Sequence, residues 1–177
     1  MNVVIKASVI LCDRFVLRPL RASDRGLIKM YTSDERLARN TESIPHPLPP
    51  GATKAFIDRG LAENSEHDIW VMDGSDHGLA EVLGVIALKR LDDRQSEIGY
   101  WVAPAFWNTG FASEALGAIV EANPQGAETL FGQVFQDNPA SGKVLTHCGF
   151  QYLGDAEVFC VARDAAVPTW TYLRKCG

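Results

Sequence analysis

The sequence predicts an α/β fold: a mixed, mostly antiparallel twisted sheet flanked by helices, in a single domain over residues 1–177. Three observations predict it. The middle of the chain alternates short apolar segments with turn chemistry, as an antiparallel meander does. The second half reads strand, helix, strand, helix, strand. And 177 residues with 46% hydrophobic and 22% charged side chains can bury one core without staples.

The elements follow in order. Arg14-Phe15-Val16-Leu17-Arg18-Pro19-Leu20 alternates polar and apolar residues up to a proline, predicting a strand that ends at Pro19. Ser23 and Asp24 are placed to cap a helix over Arg25 to Tyr31. Ile44 to Gly51 carries Pro45, Pro47, Pro49 and Pro50, each of which removes a backbone donor and fixes φ, so this segment is loop. A second helix, Thr53 to Asn64, follows it. Asp68 to Met72 predicts a strand and Asp73 to Gly78 a turn. Val82 to Leu91 forms a hairpin with Glu97 to Val102 through Asp92-Asp93-Arg94. Gly110 to Ala122 has the helical period, with Phe111, Ala115, Ala118 and Ile119 on one side; Asn123-Pro124 then breaks it. Thr129 to Phe135 is a strand. Pro139 to Cys148 is a helix with Asn138 at its N-cap, Pro139 at its first position and Gly149 as its stop. Tyr152 to Val161 and Trp170 to Arg174 complete the strands.

Seventeen basic against 22 acidic side chains leave a net charge of -5. A sequence-independent grip on nucleic acid needs a basic face, so that class is disfavoured, and a cationic partner fits the balance better. Cys12, Cys148, Cys160 and Cys176 form no C-x-x-C pair and no metal-ligand spacing, which reads as reduced, mostly buried thiols and no metal. The apolar run from Val3 to Cys12 is interrupted by Lys6 and has Leu11 where leader cleavage needs a small residue. No apolar stretch is long enough to cross a bilayer, and the expected location is the cytoplasm.

Two segments carry chemistry. In Ile98-Gly99-Tyr100-Trp101-Val102-Ala103-Pro104-Ala105-Phe106-Trp107-Asn108-Thr109-Gly110-Phe111-Ala112-Ser113-Glu114-Ala115 a buried strand leads through an Asn/Gly turn into a helix. The N–H groups from Thr109 to Ser113 would point outward together, reinforced by the helix dipole, as a cradle for pyrophosphate. The same pattern also describes an ordinary strand-to-helix connection in which Gly110 supplies backbone freedom. The second segment is Asn138-Pro139-Ala140-Ser141-Gly142-Lys143-Val144-Leu145-Thr146-His147-Cys148-Gly149-Phe150. Phosphate-loop, dinucleotide, zinc-protease and esterase signatures are absent.

Together these segments resemble motifs A and B of the GNAT superfamily of acetyl-CoA-dependent N-acetyltransferases. Trp107-Asn108-Thr109-Gly110-Phe111-Ala112 keeps the glycine and the final small residue of [QR]-x-x-G-x-[GA], while Asn138, Ser141 and Gly149-Phe150 fit N-x-x-[AS] with its G-F pair. Arg14 to Leu20, Glu97-Ile98-Gly99-Tyr100-Trp101 and Ala112-Ser113-Glu114-Ala115 are similar to the branch that acetylates ribosomal-protein N-termini, the RimJ/RimL type. The likeness runs from Arg14 to Arg174. It implies a sheet whose central strands splay, acetyl-CoA as co-substrate, and cofactor contacts at Tyr100, Trp101, Val102, Trp107, Asn108, Thr109, Gly110, Phe111, Ala112, Ser113, Asn138, Ser141 and Lys143. Three departures stand out. Trp107 replaces Gln or Arg, Asn108 replaces a frequent glycine, and the segment after the motif A helix is shortened.

The implied reaction is direct attack of a primary amine on the thioester, with no acyl-enzyme and no metal. The acceptor is a protein N-terminal amine or, alternatively, a small amine such as an antibiotic or polyamine; a homodimer is compatible with the family. An α-amine, with a pKa of about 7.7–8.0 against about 10.4 for lysine, needs less help from a base. Glu97 is the general base, acting through water, unless it is a solvated hairpin residue. Ser141 is the thiolate proton donor, unless it serves only local helix hydrogen bonding. The family's usual acid, a tyrosine seven residues after the motif B asparagine, is Leu145 here. That loss keeps a different class open, a non-catalytic acyl-CoA-binding module. The residues from Tyr31 to Asn64 are expected to set specificity, and His46, in the proline-rich loop, to rim the acceptor pocket. His67 and His77 read as surface turn residues, and His147 as a helix-end residue that suits the dipole.

Overall fold

The computed structural model describes residues 7–176, so the part of the N-terminal apolar run from Val3 to Lys6 lies outside the described residues. The apolar alternation resolves into eight strands of one sheet. They are β1 (Ile10–Leu11), β2 (Val16–Pro19), β3 (His67–Asp73), β4 (Gly84–Arg90), β5 (Gln95–Val102), β6 (Thr129–Phe135), β7 (Gln151–Cys160) and β8 (Ala165–Lys175), in spatial order β1-β2-β3-β4-β5-β6-β8-β7. The helices are α1 (Arg25–Thr32), α2 (Glu35–Ala38), α3 (Ala52–Leu61), α4 (Phe111–Ala122) and α5 (Pro139–His147). None of them is long and apolar enough to cross a membrane.

Every neighbouring pair is antiparallel except β5 and β6. Their parallel pairing covers only Gln95–Ile98 against Thr129–Gly132. Beyond it β5 runs on to Val102 along β4, and β6 runs on to Phe135 along β8. The two central strands therefore part after Ile98, giving the expected splay.

Side chains alternate across a strand, so each face of the sheet buries its own set. Ile98 and Val102 of β5, with Trp70, Ile86 and Leu88, pack under Phe111, Ala115, Leu116 and Ile119 of α4 and Leu145 of α5. Ile69, Val71 and Val85 pack on the other face against Ile28 of α1 and Ile57 of α3, with Trp101 partly buried beside them. Each fully buried aliphatic side chain contributes about 1.5–3 kcal/mol, so both helical layers are needed to keep the sheet dry.

Three expectations are corrected. Asp24 does not cap α1 with its side chain; its carboxylate is buried and takes a bidentate grip from Arg18 (2.7 and 3.0 Å) and the Arg21 N–H (2.8 Å). A charge on the inward side of β2 outbids a helix amide for that carboxylate. The last strand begins at Ala165 rather than Trp170, because Pro168 fits a place where its missing N–H is not needed. Its carbonyl faces the β6 side and accepts from Gln136 after β6 has ended (3.0 Å), and the donor it lacks would face the same way. Of the four free cysteines only Cys160 is fully buried. The short β1 and α2 carry too little periodicity to be read from sequence, and α3 stops at Leu61, short of Asn64.

Candidate functional site

The link from β5 to α4 is the segment expected to cradle pyrophosphate. A 3-10 turn, Pro104–Phe106, leads into Trp107-Asn108-Thr109-Gly110. Asn108 (φ 61°) and Gly110 (φ 82°) both occupy the left-handed region, which asparagine tolerates and glycine adopts freely. The replacement of glycine by Asn108 thus preserves the turn. As in any first helical turn, the amides of Phe111, Ala112 and Ser113 have no intrahelical acceptor and face outward with the positive end of the dipole. A Cβ at Gly110 would stand 3.3 Å from the Arg14 guanidinium.

Arg14 is the part of this region that sequence reasoning missed. It donates to the Thr109 carbonyl (2.8 Å) and to Glu114 (2.7 Å), and its guanidinium lies 4.5 Å from the centre of the Phe111 ring. It thereby fastens the turn to the first residues of α4. Arg14, Gly110 and Ser113 line an open cleft together with Lys143 and His147, one turn apart on α5. Free amides, a helix N-terminus and three cationic or protonatable side chains form a donor set suited to phosphate. His147 therefore faces the cleft as well as ending a helix.

At the splay, Tyr100 spans the gap: its buried hydroxyl donates to the Ser141 carbonyl (3.2 Å), and burial pushes its pKa up. The Asn138 side chain caps no helix amide. Its Nδ2 donates to Ser141 Oγ (3.1 Å), while the backbone carbonyl of Asn138 accepts from Ser141 N–H (3.2 Å). An Oγ that accepts from Asn138 keeps its own proton to donate. Trp107 is 38% exposed and its indole N–H donates to the Val102 carbonyl (2.7 Å), fastening the end of β5. The Trp101 ring points to the opposite sheet face, edge-on to Tyr31 at 6.4 Å, so of Trp101 only the backbone lies along the open edge of β5. Leu145, in the place of the family's tyrosine, is buried, and its methyls come within 3.1 Å of where a Cβ on Gly132 would be.

A second cleft of about 820 Å³ opens from the splay onto the face covered by α1 and α3. Glu97, Gly99, Tyr100, Asn138 and Ser141 line its inner part, and Asn40 to Pro45, Leu48 and residues of α3 form its walls. The specificity region expected between Tyr31 and Asn64 is thus at the cleft. His46 is not among its lining residues; it faces Glu35 at 4.0 Å. His67, read as a surface turn residue, begins β3 and lines the cleft, while His77 is exposed in a 3-10 turn. Glu97 is half-buried; desolvation, then the like charge of Glu42, raise its pKa against the pull of Lys89. A carboxylate held above its ordinary range is poised to take a proton nearer neutrality.

The loop bearing Glu42 is held in place from the far edge of the sheet. Val161 N–H donates to the Glu42 carbonyl (3.0 Å), and Arg163 bridges the Arg39 carbonyl (2.9 Å) and Asp137.

Residues 14–151 match the family described as the acetyltransferase (GNAT) domain. The chain is 30% identical over 151 residues to the uncharacterized N-acetyltransferase YoaA of Bacillus subtilis (strain 168), covering 80% of this chain and 82% of that protein. Among solved structures it is similar to RimL, a ribosomal α-N-protein acetyltransferase in complex with coenzyme A (TM-score 0.80, 17% identity, 96% of this chain and 98% of that one). It is also similar to a spermidine N-acetyltransferase from Vibrio cholerae in complex with coenzyme A and spermine (TM-score 0.73, 17% identity, 90% of this chain and 95% of that one).

Proposed function

We propose, from the premise that this chain belongs to the GNAT family of acetyl-CoA-dependent N-acetyltransferases, that it acetylates a protein or peptide N-terminal amine with Glu97 as base and Ser141 as proton donor. One observation carries the reading. Glu97 and Ser141 line the same cleft, which opens where β5 and β6 part just beyond Glu97.

Bound acetyl-CoA supplies an activated acetyl thioester. Its phosphates would be held by the amides of Phe111, Ala112 and Ser113, with the turn from Trp107 to Gly110 shaped by Asn108 and braced by Arg14, and with Lys143 supplying a flexible positive charge. The open edge of β5 from Tyr100 to Val102 offers backbone donors that sheet pairing with β6 does not use. Glu97, partly desolvated, draws the proton from the acceptor ammonium through water so that a neutral amine attacks. Ser141, its Oγ already accepting from Asn138, presents its hydroxyl proton to the departing sulfur.

The likeness of Arg14–Leu20, Glu97–Trp101 and Ala112–Ala115 supports placement in the RimJ/RimL-type branch, with the cytoplasmic location and homodimer that go with it. Residues 1–177 are read as one domain, since a single sheet runs from Ile10 to Lys175. The carboxylates Glu42 and Glu97 alone would also suit a polyamine, the second reading.

The test is calorimetric titration with acetyl-CoA of the native chain and of Gly110→Glu, followed by thiol release across peptide N-termini and small amines. Binding should weaken by about a hundredfold in the variant, because a carboxylate enters the anion cradle at a left-handed position whose Cβ crowds Arg14. Binding without release on any amine would leave the acyl-CoA-binding module as the reading.

A further inference from the structure

The acceptor cleft carries a charge pattern that removal of one proton does not require. His67 stands opposite Lys89 in the register of β3 and β4, and Lys89 opposite Glu97 in that of β4 and β5. Adjacent strands lie about 4.8 Å apart, so this row extends about 10 Å from the carboxylate to the imidazole. Arg59 of α3 stands at the far end: burial, then Lys89 and Arg59, push the His67 pKa down against the opposing pull of Glu66 and Asp68. Glu42 joins Glu97 at the near end. All five side chains line the same cleft.

Glu66 and Asp68 flank His67 but do not line the cleft, and no direct ion pair answers the cations inside it. Among the described residues, no carboxylate lies within 4.0 Å of Arg59 or Lys89 in the ion pairs of the fold. Like charges gathered in a partly enclosed cleft repel unless an anion sits between them. On the same helix as Arg59, Thr53 lines the cleft with its hydroxyl 6% exposed as a residue, and Oγ1 has no hydrogen-bond partner. Buried hydroxyls are normally satisfied, so this one marks a place for a ligand's polar atom.

We infer that the acceptor is an amine bearing a carboxylate, whose anionic group is held by Arg59, Lys89 and Thr53 while its amine lies at the Glu97 and Glu42 end. The inference rests on the reading that Glu97 receives the amine. It reverses, inside the cleft, the preference for cationic partners that the net charge of -5 implies for the whole molecule. It also selects against polyamines, because a second ammonium some 5–10 Å from the first would meet Arg59 and Lys89. Two sources carry the required chemistry: an acidic residue following the N-terminus of a peptide, and a small amino acid.

The experiment measures both binding and turnover. Calorimetry on the coenzyme A-loaded protein, and thiol release with acetyl-CoA, are compared for the peptide amides Ala-Asp-Ala, Ala-Asn-Ala and Ala-Lys-Ala, for 4-aminobutyrate and butylamine, and for spermidine. The carboxylated member of each set should bind and react about tenfold or more better than its neutral partner, as one charge-assisted contact implies, with spermidine and the Lys peptide weakest. Whether the Asp peptide or 4-aminobutyrate gains more identifies the source. In the doubly substituted Arg59→Gln/Lys89→Gln chain the preference should vanish through KM, with acetyl-CoA affinity unchanged. Turnover that ignores or reverses the charge order overturns the inference and leaves the acetyl-transfer reading standing. Charge-ordered binding with no transfer to any amine overturns that reading, and with it the acceptor role, leaving the carboxylated amine as a ligand of the cleft. No binding by any carboxylated amine overturns the inference.

Discussion

The clefts on the two sides of the sheet are built by different means. On the α4 and α5 side the donors are backbone amides at a helix N-terminus, and the side chains around them, Arg14 and Asn108, serve the shape of the turn. On the α1 to α3 side the lining is side chains brought from Ile28 to Leu145, and His67, Lys89 and Glu97 among them are aligned by strand register. A backbone site needs a few adjacent residues with the right φ and is indifferent to much else. A side-chain site depends on every element that packs against it, and can change its ligand by changing one residue. The first suits a cofactor common to a family and the second an acceptor particular to one member.

The comparison breaks first at the scaffold of the acceptor side. Arg18 of β2 is 4% exposed and is held by Asp24, at the start of α1, and by Asp73 of β3 (2.7 Å). Removing one partner of a buried ion pair costs about 3–5 kcal/mol, because the other charge stays buried. Asp24→Ala leaves Arg18 with Asp73 alone, so it should lower the urea unfolding free energy by the lower end of that range, about 3 kcal/mol. A loss under about 1 kcal/mol would mean that the cluster is incidental to the fold. Asp73 adds a pH signature. Burial raises its pKa, but the hydrogen bonds from Ser75 and Arg18 outweigh it, so the net direction is down. A carboxyl held below its unfolded pKa of about 3.9 contributes stability that is complete above that value and is lost as pH falls through the lower folded one.

Legibility follows the same division. The cradle could be read because Trp107 to Ala112 and Asn138 to Ser141 each form a contiguous pattern, and because cap, turn and dipole are local properties of a chain. Arg14 could not be assigned to it, since its partner Glu114 is 100 residues away and only the packing of β1 and β2 beside α4 brings them together. The long strands β3 to β6 were visible in their alternation, whereas β1, at two residues, has no period. Glu97 was legible as a position on a strand. That Glu42 faces it, from a loop tied to β7 through Val161, is a tertiary fact. So are the gathering of Arg59, His67 and Lys89 and the burial of the Thr53 hydroxyl, because residues between Tyr31 and Asn64 carry no motif and their meaning lies in what they oppose.

The acceptor side is next tested at Glu97. With its pKa raised by burial and by Glu42, kcat/KM should fall on the acid side of the profile above the ordinary carboxylate range. Glu97→Gln should lose about a hundredfold near pH 7 and abolish that acid limb, leaving only ionisation of the acceptor amine. The deficit should shrink as pH rises and free amine accumulates. Glu42→Gln should move the limb to lower pH, since it removes a like charge and leaves the downward pull of Lys89 opposed by burial alone. An unchanged profile in Glu97→Gln would remove Glu97 as the base.

The smallest expected effect lies at the seam between the two sides. Ser141 opens into the acceptor cleft, but it is aimed by Asn138 at the foot of the cofactor-side helix α5. Ser141→Ala should reduce kcat by about tenfold, since a thiolate is a good leaving group and water can replace a hydroxyl donor, and should leave the acetyl-CoA dissociation constant unchanged. Asn138→Ala should reproduce part of that loss by releasing the hydroxyl from its orientation. The double variant should then be no worse than Ser141→Ala alone, because a positioning residue has nothing left to position. Additive losses would instead mean that Asn138 acts on the cofactor independently, and a normal kcat in Ser141→Ala would return the serine to the helix.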